Sequence, residues 1–257
     1  MAGLLRRCKS AIRVRRYSDL VEFVLAMGSI GEKWYIRSGV SQERVFPFCY
    51  VVEPPMQGGE VDAPGSTNGV YQVAYLGQMV ERKGVDVLIR ALARCRTSNW
   101  RADFVGSGVG EENFQALSKM CGLADRITFH PALMNRVAMT LLSRADLLVL
   151  PSRWDGWGAV VNEALMRGVP VICTSNCGAS DLLRHPWLGS VVPAGSVGAL
   201  ADALEQWISR GPRAESESVR IQAWSQCIHP RVVADYFLKI MGHVYDGGPR
   251  PEVPWRA

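Results

Sequence analysis

The amino-acid sequence predicts an α/β protein, with a doubly wound parallel sheet over residues 70–210 preceded by an incomplete βαβ unit. Three observations lead there. Six short apolar runs alternate with segments whose apolar residues recur at helical spacing, and strands alternating with helices in this way pair in parallel. Glycines stand where the runs end and helices begin. Residues 53–69 hold three prolines and four glycines without periodicity, the composition of a linker, and they separate the regular region from what precedes it.

Taken in order, residues 4–16 carry Arg6, Arg7, Lys9, Arg13, Arg15 and Arg16 among apolar residues, with no acid before Asp19. Three readings are open: a basic helix on an anionic membrane surface, an Arg-rich transit peptide, or a solvated helix of a larger domain. Residues 19–27 read as a strand, Gly28 to Arg37 as a helix, and Val45 to Val52 as a second apolar run. This βαβ unit within residues 1–52 is too small for a sheet of its own. With exposed strand edges it is expected to be unstable, to pack on the main domain, or to dimerise.

Beyond the linker, Val73–Leu76 reads as a strand, with Val85, Leu88, Ile89 and Leu92 on a helix after it. Ala102–Val105 is the next strand, and Phe114, Leu117 and Cys121 mark the next helix. Ile127–Phe129, a helix from Val137 to Leu142, and the strand Leu147–Leu150 follow. Val169–Thr174, a short helix to Leu183, the strand Ser190–Val192 and a helix through Leu200, Leu204 and Trp207 complete the region. Residues 211–219 read as a polar loop, 231–244 as a helix, and the tail from Gly247 to Ala257 as disordered.

Composition narrows the function. The chain has 257 residues, 48% hydrophobic and 21% charged, enough for one large domain or two small ones. A net charge of +5, much of it from the first 16 residues, is no nucleic-acid footprint. The seven scattered cysteines form no Cys-x-x-Cys pair, so neither a disulfide framework nor a zinc site is expected, and a cytoplasmic setting is the simplest. No run of about 18 apolar residues spans a membrane, and the N-terminus lacks the apolar core of a signal peptide.

The most informative stretch runs from Pro151 to Pro170. The apolar strand ends, Gly156 and Gly158 break the chain, and a helix starts with Val160, Val161, Ala164 and Leu165 as its apolar arc. Gly168 closes that helix and Pro170 prevents its continuation. A strand–glycine loop–helix arrangement leaves backbone N–H groups unpaired where anions bind. Asp155 lies just before the loop, and Glu163 sits at the border of the apolar arc. A second loop, Gly77 to Gly84, places Arg82 and Lys83 beside a helix start, a setting that suits a diphosphate. The glycine-rich Gly106-Ser107-Gly108-Val109-Gly110 does not complete the dinucleotide fingerprint, because Glu111 stands at its third position. That argues against a dehydrogenase. His130, Cys173 and Cys177 read as structural residues.

The segment Asp155, Gly156-Trp157-Gly158 and Glu163 resembles glycosyltransferase family 4, whose signature is an acid, seven residues, then Glu, with Gly-aromatic-Gly after the first acid. Asp155 departs from the usual Glu by one methylene. The Gly77 loop resembles the family's Gly-Arg and Lys-Gly pair, with Lys83 matching the lysine and Gln78 replacing the arginine. The resemblance is specific from Val73 to Ser209. It implies the GT-B fold, with a Rossmann-like donor-binding domain at 70–210 and 211–257 as C-terminal helix and tail. It also implies that residues 1–52 are part of the N-terminal, acceptor-side domain.

The activity implied is metal-independent sugar transfer from a nucleotide sugar to a saccharide or lipid-linked acceptor, with retention and no cofactor. The acceptor side, largely outside this sequence, would come from a separate subunit or a second copy, and the setting would be the cytoplasm or the cytoplasmic membrane face. Asp155, Glu163 and Lys83 would carry the chemistry. Gly77, Gln78, Arg82, Gly108, Gly156, Trp157, Gly158, Ala159 and Val160 would complete the donor site, with Glu163 on the ribose hydroxyls and Asp155 on a sugar hydroxyl. Two other readings stand: the donor half of a split transferase, and a non-catalytic remnant.

Overall fold

A computed structural model describes residues 12, 14, 16–17, 20–55 and 69–256. Most of the basic segment 4–16 and most of the linker 53–69 lie outside the described residues. The chain divides into two compact units, residues 1–51 with 227–257, and residues 52–226.

The larger unit is built on six parallel strands: β3 (Tyr71–Leu76), β4 (Trp100–Val105), β5 (Ile127–His130), β6 (Leu147–Leu150), β7 (Val171–Thr174) and β8 (Gly189–Val192). Their spatial order is β5-β4-β3-β6-β7-β8. The chain winds outward from β3 to one edge, returns to the centre, and winds outward from β6 to the other. The loops after β3 and β6 therefore emerge side by side at the C-terminal end of the sheet, where doubly wound folds bind ligands.

Strand periodicity sends alternate side chains to opposite faces. Val73, Tyr75, Phe104, Leu147, Val149 and Ile172 join the core that takes in α2 (Val85–Leu92) and α6 (Val197–Ile208). Leu148, Leu150, Val171 and Cys173 are as deeply buried on the other face, where α5 (Val160–Met166) contributes Val161, Ala164 and Leu165. Burial of each Val or Leu side chain contributes about 1.5–3 kcal/mol, so strands buried on both faces are continuous apolar runs. Helix α5 ends in a Schellman motif: Gly168 has φ +72°, Gly168 N–H reaches Leu165 O at 3.0 Å, and Val169 N–H reaches Ala164 O at 2.9 Å. Helices α3 (Glu111–Met120) and α4 (Asn135–Arg144) complete the crossovers.

Residues 215–219, the second half of the segment read from the sequence as a polar loop, form the start of helix α7 (Glu215–Ser225). Its buried side is small and polar, Ser218 and Ser225 with Ile221, so the apolar period that signals a helix is missing. Glu217 secures the first turn by accepting from Ala214 N–H at 3.0 Å. Just before it, the buried Arg213 side chain donates to the carbonyls of Ser143, Ala145 and Gly168 and to Ser218 Oγ, while its backbone N–H donates to Asp146 Oδ1.

In the smaller unit, β1 (Val24–Met27) pairs in parallel with β2 (Val45–Phe48), joined through α1 (Gly28–Arg37). Helix α8 (Pro230–Asp246) stacks Tyr236 on Phe48 and sets His243 edge-on to Phe46. The tail is folded, against the expectation of disorder. Trp255 is buried against Tyr236, Arg256 pairs with Glu32 at 3.0 Å, and Arg250 lies over the Phe46 ring. Three prolines suggested a chain without structure; one tryptophan and two arginines anchor it.

Truncating Arg213 strips three buried carbonyls of a charged donor. Arg213→Ala should lower the unfolding free energy by about 3–5 kcal/mol, measured by urea denaturation of the full chain. A loss below about 1 kcal/mol would show that water replaces the guanidinium at little cost.

Candidate functional site

The loop after β3 rises from Gly77, passes through a single 3₁₀ turn, Glu81–Lys83, and enters α2 at Gly84. The loop after β6 runs from Pro151 to Ala159. Gly84 is where the two meet. It has φ +69°, and a Cβ on it would stand 2.2 Å from Pro151 O, so only glycine allows the loops to approach this closely. Polar bonds complete the joint. Arg153 N–H donates to Arg82 O at 2.9 Å and Arg82 Nη1 to Trp154 O at 3.1 Å. The Arg153 guanidinium grips Asp86 with two bonds, at 2.8 and 2.7 Å, and that hydrogen-bonded cation holds the Asp86 carboxyl below the usual carboxylate range.

Across this joint Lys83 Nζ meets Asp155 Oδ2 at 2.6 Å, with both side chains largely buried. Ser152 Oγ lies 3.4 Å from the same oxygen. Asp155 is held from the backbone as well: its N–H donates to Asn176 O, and its carbonyl accepts from Gly178 N–H. The two residues that sequence reasoning placed in separate loops are in direct contact.

The third loop, Gly106 to Gly110, packs on the first. Cβ atoms built on Gly106 and Gly108 would stand 1.9 Å from Gly77 O and 2.5 Å from Met79 O, and Gly110 N–H donates to Met79 O at 2.9 Å. These glycines allow backbone to lie on backbone, so Gly108 supports the Gly77 loop. Gln78 is exposed, and its carbonyl accepts from Tyr75 Oη at 2.8 Å.

Within the β6 loop, Gly156 is exposed while Trp157 is buried, its Nε1 donating to Asn162 Oδ1 at 2.7 Å. The ring expected at a donor site is turned inward and wedges the loop, leaving the backbone of Gly156 and Gly158 toward solvent or core as their burial dictates. Gly158, at φ +92°, sits over Leu150 and the Cys177 thiol with no room for a side chain. Ala159 and Val160 open α5 and are half-buried. Glu163 lies on its first turn, partly buried. Burial pushes its pKa up, opposed by the nearby Arg167, and among the described residues no group donates a hydrogen bond to its carboxylate. Arg167 spends one donor on the Glu163 backbone carbonyl.

His130 ends β5 and pairs with Asp103 at 2.7 Å, which ties β4 to β5 at one edge of the sheet. Cys173 and Cys177 are fully buried beneath the β6 loop, and hydrogen bonding to Cys177 together with burial drives the Cys173 thiol well above its usual range. Among the described residues, no group of three or more His, Cys, Asp or Glu is placed to hold a metal ion. The sequence did not signal Arg153, Asp86 or Asn176. Each acts through a partner 23 to 67 positions away, and only Asp86, as an acid in a helix's first turn, left a local trace.

Residues 61–222 match the family model for the group 1 glycosyl transferases. A GDP-mannose-dependent alpha-(1-6)-phosphatidylinositol monomannoside mannosyltransferase of Mycobacterium tuberculosis is 29% identical over 211 residues, 79% of this chain and 53% of the relative. A D-inositol 3-phosphate glycosyltransferase of a Mycobacterium species is 30% identical over 143 residues, 54% of this chain and 33% of the relative. The chain thus spans about half the length, or less, of these curated relatives. Among solved structures, the lipopolysaccharide outer core galactosyltransferase WaaB in its apo form superposes with a TM-score of 0.76 at 20% identity, over 86% of this chain and 61% of that one. Anabaena HepE in complex with UDP and glucose superposes with a TM-score of 0.70 at 18% identity, over 92% of this chain and 67% of that one. These likenesses establish a GT-B fold.

The raised pKa of Glu163 has a consequence for stability. A carboxyl whose pKa is higher folded than unfolded stabilises the fold below its unfolded pKa and loses that contribution as pH rises through the folded value. Glu163→Gln should therefore raise the melting temperature at pH 7, and the gain should vanish near pH 4, as scanning calorimetry of both proteins at the two pH values would reveal. An equal gain at both would assign the effect to packing instead.

Proposed function

The chain belongs to the group 1 glycosyl transferases, and on that premise we propose that it binds a nucleotide sugar at the Lys83–Asp155 joint and transfers the sugar with retention, as family 4 enzymes do. The observation that carries this reading is the 2.6 Å contact between Lys83 and Asp155 at the point where the strand order reverses. A cation and an acid from two loops converge where a diphosphate and its sugar would lie side by side.

In this reading the bond from the anomeric carbon to the diphosphate oxygen breaks, a bond to the acceptor oxygen forms, and the proton of the acceptor hydroxyl passes to the departing diphosphate oxygen. Negative charge grows on the leaving diphosphate and must be met by groups already in place. Lysine offers three donors, so Lys83 can turn bonds toward phosphate while still facing Asp155. Arg82, exposed beside it, adds a second cation. Asp155 then takes a sugar hydroxyl, and the carboxylate of Glu163, unspent on protein donors, takes the ribose hydroxyls. The charge is met by the protein's own cations, without a metal ion. HepE, with UDP and glucose in its crystal structure, and the mannosyltransferase that uses GDP-mannose supply precedents for the donor class.

In a second reading the chain supplies donor binding and turns over only with an acceptor-side partner. The acceptor, and contact of the basic segment 4–16 with a membrane surface, belong to the same proposal. Among the described residues no helix is long and apolar enough to cross a membrane.

Calorimetric titration of the full chain with UDP and GDP tests the donor site. One of the two should bind, and Lys83→Ala should abolish measurable binding. Glu163→Ala should weaken it by about 1.5–3 kcal/mol, as loss of hydrogen bonds to a charged group does. Unchanged affinity in both variants, with melting temperatures intact, would remove the site from this joint. Turnover of the bound donor by the chain alone would decide between the enzyme and the donor-binding half.

A further inference from the structure

We infer that Trp154 is a stacking platform for the sugar ring of the nucleotide-sugar donor, an inference that rests on the donor site proposed above. Trp154 stands between Arg153 and Asp155 in a loop whose side chains at 152, 155 and 157 turn inward. Ser152 is fully buried, Asp155 and Trp157 are 9% and 4% exposed, yet Trp154 is 58% exposed. A large aromatic left in solvent beside buried neighbours forgoes the burial that usually fixes tryptophan in a fold.

Its position is nonetheless fixed. Arg82 donates to the Trp154 carbonyl at 3.1 Å, Asn176 Nδ2 donates to the Arg153 carbonyl at 2.9 Å, and Asp155 N–H is bonded to Asn176 O. The backbone is clamped on both sides, so the indole projects from a rigid base. Among the described residues, no ring, guanidinium or ammonium group stacks on it. By contrast, the rings of Trp100, Trp187 and Trp207 each lie under an arginine.

Gly156 defines what can sit beside it. A Cβ built on that exposed glycine would meet one atom within 4 Å, Trp154 Cη2 at 3.9 Å. The slot over Gly156 is therefore open and has the indole as a wall, while Asp155, bonded to Lys83, lies between the two residues in sequence. An apolar ring face next to a carboxylate and a cation matches a pyranose attached to a diphosphate. The axial C–H face of the sugar packs on the indole, its hydroxyls reach the carboxylate, and the diphosphate reaches the lysine. Binding sites of this kind combine one flat apolar surface with few, placed polar groups.

Calorimetric titration of the full chain separates this inference from the reading beneath it. The probes are UDP and GDP, with UDP-glucose, UDP-galactose and GDP-mannose as their sugar conjugates. Trp154→Ala should weaken the bound conjugate by roughly tenfold, the scale of one aromatic stacking contact, and change the matching diphosphate less than about twofold. Trp154→Phe should recover most of the loss. The side chain buries little, so the melting temperature should hold in both variants. Equal effects on diphosphate and conjugate, or none on either, would overturn the platform while leaving the donor site in place. So would binding of a diphosphate but of none of its conjugates. A wild-type chain that binds no probe would overturn both.

Discussion

Parallel strands cannot be joined by tight turns, and the chain here meets that constraint by winding outward twice from the middle of one sheet. Everything at the candidate site follows from it. The order β5-β4-β3-β6-β7-β8 makes β3 and β6 neighbours although 70 residues, 77–146, lie between them. Their following loops have no helix between them and must pack against each other. The Lys83–Asp155 contact is a product of that adjacency.

The close approach of the loops is set by backbone. Gly84 against Pro151, Gly106 against Gly77 and Gly178 against Gly156 each lack space for a methyl group. Carbonyls and amides rather than side chains therefore determine where the charged groups stand. Side chains then lock the arrangement. The Arg153–Asp86 pair, partly exposed, contributes about 1 kcal/mol or less, but it joins the β6 loop to the first turn of α2, and Arg153 Nη1 also donates to Glu81 O in the 3₁₀ turn that carries Lys83.

Much of this was legible in the sequence. The apolar runs at 73–76, 102–105, 147–150 and 169–174 found their strands because a sheet covered on both faces needs no polar alternation. The glycine loops, with Lys83, Asp155 and Glu163, pointed to the region of the sheet where loops gather. Helix α7 escaped because serines fill its buried side. The order of the tail escaped because Trp255 and Arg256 act on residues more than 200 positions earlier or on a different helix. Trp157 and Trp154 show the limit best. The spacing drew attention to Trp157 through its two glycines, yet it is Trp154 that faces solvent, and side-chain direction in an irregular loop has no period to read.

The buried Arg213 makes one cation serve three helices. Its guanidinium gathers carbonyls at the end of α4 and just past the end of α5, the negative poles of those helices, together with Ser218 Oγ in the first turn of α7. The carboxylate of Asp146, at the foot of β6, accepts the Arg213 backbone N–H at 2.8 Å and lies close enough to favour the cation's charge. The three helices are thus fastened to a single charged point at the end of the sheet where the strands begin, and none of them can shift without breaking a bond to it.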